Sequence, residues 1–342
     1  MNAIALIFCF ASAGFAQTPT VRAAALAEKG VRHLEANQPD QARSAFLESL
    51  KLDASSFEAL SGMGFLEYSH GAPAAARQYL EKAAALRPRS FQSRFLLGAA
   101  LVQLHEPAAA IAHLRAAYRL DPAHADVRKL LAAQYVESRR FREAIALVQP
   151  VVHVAPHDEE LHLLLIEARQ ASGDADGAFA LAQQAVKRFP QSAQLAAWLG
   201  FQLQFAGRYE DAGACLRKAI ALDPAFPVSY QLLGEVYLKE ELFSEAVTWL
   251  KRAAERMPED AETLLSLGRA LAESGETAGA LQVLRQAAKA APKDARIYHQ
   301  LSRLYFRMGD EVRARQAAAL SLQLRDAQPV VVEAPAALRK GR

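Results

Sequence analysis

The chain has 342 residues, of which 52% are hydrophobic and 73 are alanine. Alanine has the highest intrinsic helix propensity, and no stretch alternates β-branched with polar residues, so the composition favours helices and excludes an extensive sheet. The 40 basic and 37 acidic residues leave a net charge of +3, which gives no indication of a nucleic-acid partner.

The first 16 residues are mostly apolar and carry no charged side chain. They are too few to span a bilayer as a helix, and they end in small residues at 11–13 and 14–16. These features predict a signal peptide at 1–16 and a linker at 17–22, and therefore an exported protein, periplasmic or secreted, without membrane insertion. A misassigned start or a buried helix is the alternative. The residues before Cys9 are not small, so a lipoprotein anchor is not expected.

Beyond this segment, alanine recurs every 34 residues without insertion or deletion. The alanines are Ala42, Ala76, Ala110, Ala144, Ala178, Ala212, Ala246, Ala280 and Ala314. Prolines recur with the same period from Pro88 to Pro292. Self-similarity at a fixed period of this length is the signature of a repeat array. It predicts nine repeats, at 23–56, 57–90, 91–124, 125–158, 159–192, 193–226, 227–260, 261–294 and 295–328.

Each repeat, numbered here from position 1 at residue 23, has two apolar stripes at helical spacing. Positions 4, 7, 8 and 11 form the first stripe and positions 20, 24 and 27 the second, which predicts two helices. Small residues at positions 8 and 20 allow the helices to approach closely, so a bulky replacement would overpack them. Proline at position 32 ends the second helix. Position 15 is predicted to be left-handed and to end the first helix, at Asn37, Gly71, Gly173, Gly207, Gly275 and Gly309.

This pattern resembles the tetratricopeptide repeat, with large apolar residues at position 4, leucine at 7, glycine at 8, alanine at 20 and 27 and proline at 32. The resemblance runs from Ala23 to about Gln328 and implies an all-α fold, a right-handed superhelical α-solenoid of nine antiparallel helix-turn-helix repeats. Residues 329–342 remain as a C-terminal tail, and we expect 330–332 to fold back over the last repeat. The fifth repeat departs at Ile166 and Arg169, where we expect looser packing or a local bend.

No catalytic motif is present, so we expect no enzyme activity and no cofactor. The sequence lacks a glycine-rich phosphate loop, a nucleophile elbow and a CxxC pair, and Cys215 is expected to be a packing residue. The densest group of possible metal ligands is formed by His153, His157 and His162, which would have to converge on one ion. Metal binding through these histidines is kept as a third functional hypothesis.

In proteins that this chain resembles, the first helices line a concave groove, in which positions 2, 5, 6, 9, 12 and 13 face a partner. The candidate groove residues at or near these positions are Phe65, Tyr68, Phe95, Lys129, Trp198, Phe201, Phe205, Arg269, Arg296, His299, Arg303, Phe306 and Arg307. Aromatic and arginine side chains are common interface anchors. The alternative is that several of the aromatic side chains pack between neighbouring repeats.

The arginines of the last two repeats are expected to form a positive patch that suits an acidic segment or a C-terminal carboxylate. The carboxylate clamp of some family members requires asparagine four residues after a lysine, and Ala133 follows Lys129 instead. The leading interpretation is a non-enzymatic protein-interaction scaffold that holds a peptide or a partner's helix. The alternative is a structural or docking subunit of a cell-envelope complex for polysaccharide export, pilus assembly or outer-membrane assembly.

Overall fold

The computed structural model describes residues 18–154, 157–326 and 338. The predicted signal peptide and the predicted contact of residues 330–332 lie outside the described residues. Regular structure in these ranges is α-helical throughout, which confirms the all-α class. The helices are α1 (Pro19–Glu35), α2 (Pro39–Leu52), α3 (Phe57–Ser69), α4 (Pro73–Leu86), α5 (Phe91–Gln103), α6 (Pro107–Leu120), α7 (Ala125–Glu137), α8 (Phe141–Val154), α9 (Glu159–Ala171), α10 (Ala175–Arg188), α11 (Ala193–Phe205), α12 (Tyr209–Leu222), α13 (Pro227–Lys239), α14 (Phe243–Arg256), α15 (Ala261–Glu273), α16 (Thr277–Ala290), α17 (Ala295–Arg307) and α18 (Glu311–Asp326).

The helix boundaries recur with the 34-residue period of the sequence. From α3 onward, each odd-numbered helix begins at position 1 of a predicted repeat, and each even-numbered helix begins at position 17. Helix α1 begins earlier, at Pro19, and so extends into the predicted linker. Proline suits the first turn of a helix because its missing N–H has no partner there. The hydroxyl of Thr18 also accepts a hydrogen bond from the Val21 N–H, at 3.4 Å.

Position 34 caps the helix that follows it. The Ser192 hydroxyl accepts from the Leu195 N–H at 3.0 Å, and an Asp260 carboxylate oxygen accepts from the Thr263 N–H at 2.8 Å. Such bonds satisfy backbone donors that the first helical turn leaves unpaired. Five of the eight odd-numbered helices from α3 to α17 have a side-chain cap of this kind, whereas position 34 is Phe226 before α13.

The chain divides into two compact units, Met1–Ser138 and Arg139–Arg342. In each unit, helices consecutive in the chain pack against each other, and odd-numbered helices of successive repeats also make contact. These additional contacts join α1 to α3, α3 to α5 and α5 to α7 in the first unit, and α11 to α13, α13 to α15 and α15 to α17 in the second. Stacking of this kind is solenoid-like, because each repeat contacts mainly its neighbours along the chain.

The two helices of a repeat approach closely where glycine at position 8 faces leucine at position 24. A side-chain carbon added at Gly234 would lie 2.4 Å from Cγ of Leu250, and one at Gly268 would lie 2.5 Å from Leu284. Both leucines are fully buried. The predicted need for a small residue at position 8 is therefore confirmed.

The fifth repeat reverses this size relationship. Ile166 replaces the glycine at position 8, and Ala182 replaces the leucine at position 24. Both side chains are completely buried in one apolar cluster. The larger residue has moved from one helix to the other, which exchanges volume between the two positions. Helices α9 and α10 nevertheless make less extensive contact than the two helices of each later repeat, so the fifth repeat is more loosely packed, as expected.

Position 15 is left-handed in all nine predicted repeats. The predicted glycines have φ between 72° and 90°, and Asn37 has φ of 55°, which confirms that prediction. His105, Arg139 and Glu241 occupy the same position with φ of 57°, 59° and 60°. The geometry of the helix connection therefore imposes this conformation even where the side chain disfavours it.

The last repeat has small residues on both sides of its helix contact. Ser302 stands at position 8 and Ala318 at position 24. Both line an open cleft of about 610 Å³ beside α17 and α18, together with Phe306 and Arg307. Five of the other repeats carry a leucine at position 24 instead.

Candidate functional site

The candidate interaction surface is the side of the odd-numbered helices formed by positions 2, 5, 6, 9, 12 and 13, called here the first-helix face. In the first unit, Phe65 is 38% exposed and Tyr68 is half-buried, both on α3. Phe95 lies 6.0 Å from Phe91 and 5.5 Å from His124 between ring centroids. Phe95 thus packs against the N-cap of α7, as the alternative interpretation of the aromatic residues requires. Lys129 is half-buried on α7.

In the second unit, the three predicted aromatic residues of α11 differ in exposure. Trp198 and Phe201 are buried, with their rings perpendicular and their centroids 5.9 Å apart. Phe205, one turn further, is 59% exposed. The indole of Trp198 thus forms part of the apolar core, whereas Phe205 is available at the surface.

Leu338, from the C-terminal tail, belongs to the same apolar cluster as Trp198 and Phe201 and is completely buried. Its backbone carbonyl accepts a hydrogen bond of 2.9 Å from Nε2 of Gln194, at position 2 of α11. Gln194 was not among the residues selected from the sequence, where only its position in the repeat would have indicated it. This part of the face therefore already contacts a distant segment of the chain.

The arginines at the end of the face have carboxylate partners within the protein. Arg307 and Arg303 both reach Glu273, with N–O distances of 2.7 and 3.2 Å. Arg296 lies 2.6 Å from Glu262 and 2.7 Å from Asp294. The expected positive patch is therefore largely neutralised. The sequence signal was the 34-residue separation of Arg307 from Glu273 and of Arg296 from Glu262, because equal positions of successive repeats lie side by side.

The pKa of the Asp294 carboxyl group reflects its pairing with Arg296. Burial alone would raise its pKa, but hydrogen bonds from the side chain and backbone of Arg296 outweigh burial and hold the pKa below its usual value. The lowered pKa keeps the Asp294 carboxylate ionised and available to pair with Arg296. An anionic partner would have to compete with it.

A buried carboxyl group lies next to this end of the face. Oε1 of Glu235 accepts hydrogen bonds from Nε2 of Gln231 at 3.1 Å and from the Ser266 hydroxyl at 3.0 Å. Burial raises the pKa of Glu235, and the charge of Glu262 raises it further, whereas Arg269 acts in the opposite direction. Arg269 is half-buried. The surroundings of Glu235 therefore favour its neutral form.

His299 and Phe306 are both exposed on α17, and Phe306 is 72% exposed. Phe306 lines the open cleft between two arginines, Arg303 and Arg307. An aromatic ring beside guanidinium groups resembles the composition of interface anchors. The end of the second unit thus presents a large apolar side chain with nearby cationic groups.

Nothing in the described part of the chain supports catalysis or metal binding. No three His, Cys, Asp or Glu side chains there are grouped closely enough to hold a metal ion. His162 is buried against Phe189, with ring centroids 5.2 Å apart, and His157 is exposed, while the side chain of His153 lies outside the described part. Burial raises the pKa of the Cys215 thiol, which disfavours the reactive thiolate. Within the described residues, no helix is long and apolar enough to cross a bilayer.

Three family models described as the tetratricopeptide repeat match the sequence. One matches 28–91 and 63–125, a second matches 101–167 and 203–271, and a third matches 261–304. This protein belongs to the tetratricopeptide repeat family. Among curated proteins, none matches the sequence significantly.

Solved structures of other tetratricopeptide repeat arrays support the solenoid-like fold. A repeat protein from Parabacteroides merdae aligns with a TM-score of 0.56 and 13% identity over 73% of this chain and 99% of its own. The Cut9-Hcn1 hetero-tetramer of APC/C contains a chain with a TM-score of 0.53 and 16% identity, over 93% and 76%. A monomeric IFIT1 mutant with Gppp-AAAA aligns with a TM-score of 0.56 and 14% identity, over 89% of this chain and 78% of its own. At these identities the similarity concerns the fold alone.

Proposed function

We propose that this tetratricopeptide repeat protein is a non-enzymatic scaffold that binds a peptide or a helix of a partner protein on its first-helix face. The observation that carries this proposal is the exposure of Phe205 and Phe306, at 59% and 72%. They occupy positions 13 and 12 of the first-helix face. Repeats of this family generally serve protein interaction. The apolar sequence at 1–16 supports export, so we place the partner in the periplasm or outside the cell.

Binding energy at such a surface is expected to come mainly from the aromatic side chains. Complete burial of a phenylalanine side chain stabilises by about 1.5–3 kcal/mol. Exposed salt bridges contribute only about 0–1 kcal/mol each. A partner that covers Phe306 therefore gains more from the ring than from one arginine beside it.

The test is affinity capture from an envelope fraction, followed by mass spectrometry. The wild type is compared with Phe205→Ala and Phe306→Ala, and with Val312→Ala as the control, because Val312 is 68% exposed on α18 and lies outside the face. We expect Val312→Ala to capture the partner normally and the aromatic variants to lose about tenfold or more, as interface anchors do. Equal capture by all variants would show that this face is not the binding site.

The nature of the captured protein distinguishes the two functional interpretations. One peptide-like or soluble partner supports the proposed scaffold. A membrane complex captured intact supports instead a docking subunit of an envelope assembly or export machine.

The charge preference of the partner can be tested at Glu273. An acidic segment that binds Arg303 and Arg307 has to compete with the carboxylate that already bridges them. Glu273→Gln removes this competitor, so we expect tighter binding of an acidic partner, with stronger dependence on salt. Glu81→Gln is the control, because Glu81 pairs with Arg77 on the even-numbered helix α4. Unchanged affinity in Glu273→Gln would exclude recognition of acidic groups by this pair.

A further inference from the structure

The C-terminal tail contacts the first-helix face at one described residue, Leu338. This residue is completely buried, and it is bonded to Gln194, which lies 144 residues earlier in the chain. We propose that the face of α9 and α11 is a binding site for a leucine-bearing peptide segment, and that the chain's own C-terminal segment is its resident ligand. The proposal rests on the proposed function, because it places an intramolecular ligand on the face that is assigned to the partner.

The site has an apolar floor that the end of the face on α17 lacks. Positions 5 and 6 carry Leu163 and Leu164 on α9, and Ala197 and Trp198 on α11; all four are buried. The corresponding positions of α17 carry His299 and Gln300, which are exposed and half-buried. Large apolar side chains on an outer face of the repeat need a cover. Leu338 belongs to the same apolar cluster as Leu163 and Trp198.

The floor also contains a polar atom suited to a peptide backbone. Nε1 of Trp198 is buried without a hydrogen-bond partner among the described residues. It is a donor, and buried donors of this kind are usually paired. Gln194 already donates to the Leu338 carbonyl, which shows that a backbone group can reach this face. A peptide segment offers further N–H and carbonyl groups.

Covalent attachment makes the tail a strong competitor. A tethered segment acts at an effective concentration that can reach the millimolar range for short flexible connections. A partner that uses the face of α9 and α11 consequently has to displace Leu338. Its apparent affinity for the full chain is expected to be lower than for a chain whose tail no longer binds.

The experiment uses Trp198 as the probe. The chain has two tryptophans, so Trp249→Phe leaves Trp198 as the single emitter in the full-length protein. Leu338→Asp is compared in this background with Leu322→Asp, the same change at a leucine that is 52% exposed on α18. We expect Leu338→Asp to shift Trp198 emission to the red and to raise its quenching by acrylamide about twofold or more, whereas the control changes neither. Circular dichroism checks that helix content is retained.

Addition of a synthetic peptide of residues 329–342 provides the second arm. It should bind the Leu338→Asp protein saturably and restore the emission of Trp198, whereas the same peptide with Leu338→Asp should not. If the Leu338→Asp protein loses helix content, Leu338→Ala replaces it in the same comparison. The proposal is overturned if Trp198 quenching equals that of the Leu322→Asp control and the peptide has no effect. No partner is needed here, so a failed partner capture with a bound peptide refutes the proposed function and leaves this site intact.

Discussion

The contact between positions 8 and 24 makes a quantitative prediction about the seventh repeat. We consider the exchange Gly234→Ile with Leu250→Ala, which reproduces the pair Ile166 and Ala182 of the fifth repeat. A side-chain carbon at Gly234 would lie 2.4 Å from Cγ of Leu250, well inside van der Waals contact. Gly234→Ile alone therefore overpacks the helix pair, at a cost of about 1–3 kcal/mol or more.

The second single change acts in the opposite direction. Leu250 is completely buried, so Leu250→Ala leaves a cavity and is expected to cost about 2–5 kcal/mol. In the double variant the isoleucine occupies the space that the leucine leaves. We therefore expect the double variant to be more stable than the sum of the two losses predicts, with a coupling of about 0.5–3 kcal/mol.

Hydrogen exchange of peptides from α13 and α14 is the appropriate assay. Long repeat arrays do not always unfold in one cooperative step, whereas exchange reports the local free energy of opening for this helix pair. Peptides from α3 and α4, in the other unit, serve as the internal reference. If the loss of the double variant equals the sum of the two single losses within about 0.5 kcal/mol, the two positions are independent. The explanation of the fifth repeat as an exchange of volume is then wrong.

Three further predictions concern local features. Glu241→Gly should raise the free energy of unfolding, measured by urea denaturation, by about 0.5–1 kcal/mol, because φ is 60° there, whereas Glu241→Ala, which keeps the side-chain carbon, should give no such rise. Ala318→Leu should fill the cleft of the last repeat and raise the free energy of opening of α17 and α18, measured by hydrogen exchange, by roughly 0.5–2 kcal/mol; unchanged exchange would show that the missing leucine does not cause the cleft. Burial raises the pKa of Glu235 above its ordinary value of 4.5 in the folded state, so the wild type should lose stability as pH rises through this raised pKa. Glu235→Gln should not show this loss and should be the more stable protein at neutral pH; parallel stability profiles between about pH 4 and 8 would contradict this.

The repeat period made the helices predictable, because each boundary depends on residue types that recur every 34 positions. Glycine or asparagine at position 15 predicted the left-handed residue in six repeats. His105, Arg139 and Glu241 were missed at that position because the connection between two helices of constant length imposes the conformation, whatever the side chain. Residue type at position 15 alone cannot predict a left-handed conformation that the geometry of the helix connection imposes.

The candidate site was less predictable, because it depends on neighbours that are distant in the chain. The position of Trp198 placed it on the first-helix face, but its burial depends on which side chains cover that face. Leu338 lies 144 residues beyond Gln194, and the tail carries no repeat pattern that could have aligned the two.

The arginines of the last repeat show how charge should be interpreted in such an array. Arg296 and Glu262 both occupy position 2, and Arg307 and Glu273 both occupy position 13, on helices that contact each other. A charged side chain on the first-helix face therefore attracts a partner less strongly when the same position of the adjacent repeat carries the opposite charge. Arg303 and Arg307 share one carboxylate, so the excess positive charge near Phe306 is smaller than the number of arginines implies. Because exposed ion pairs contribute little, we expect the aromatic residues to determine affinity and the residual charge to influence selectivity and the rate of association.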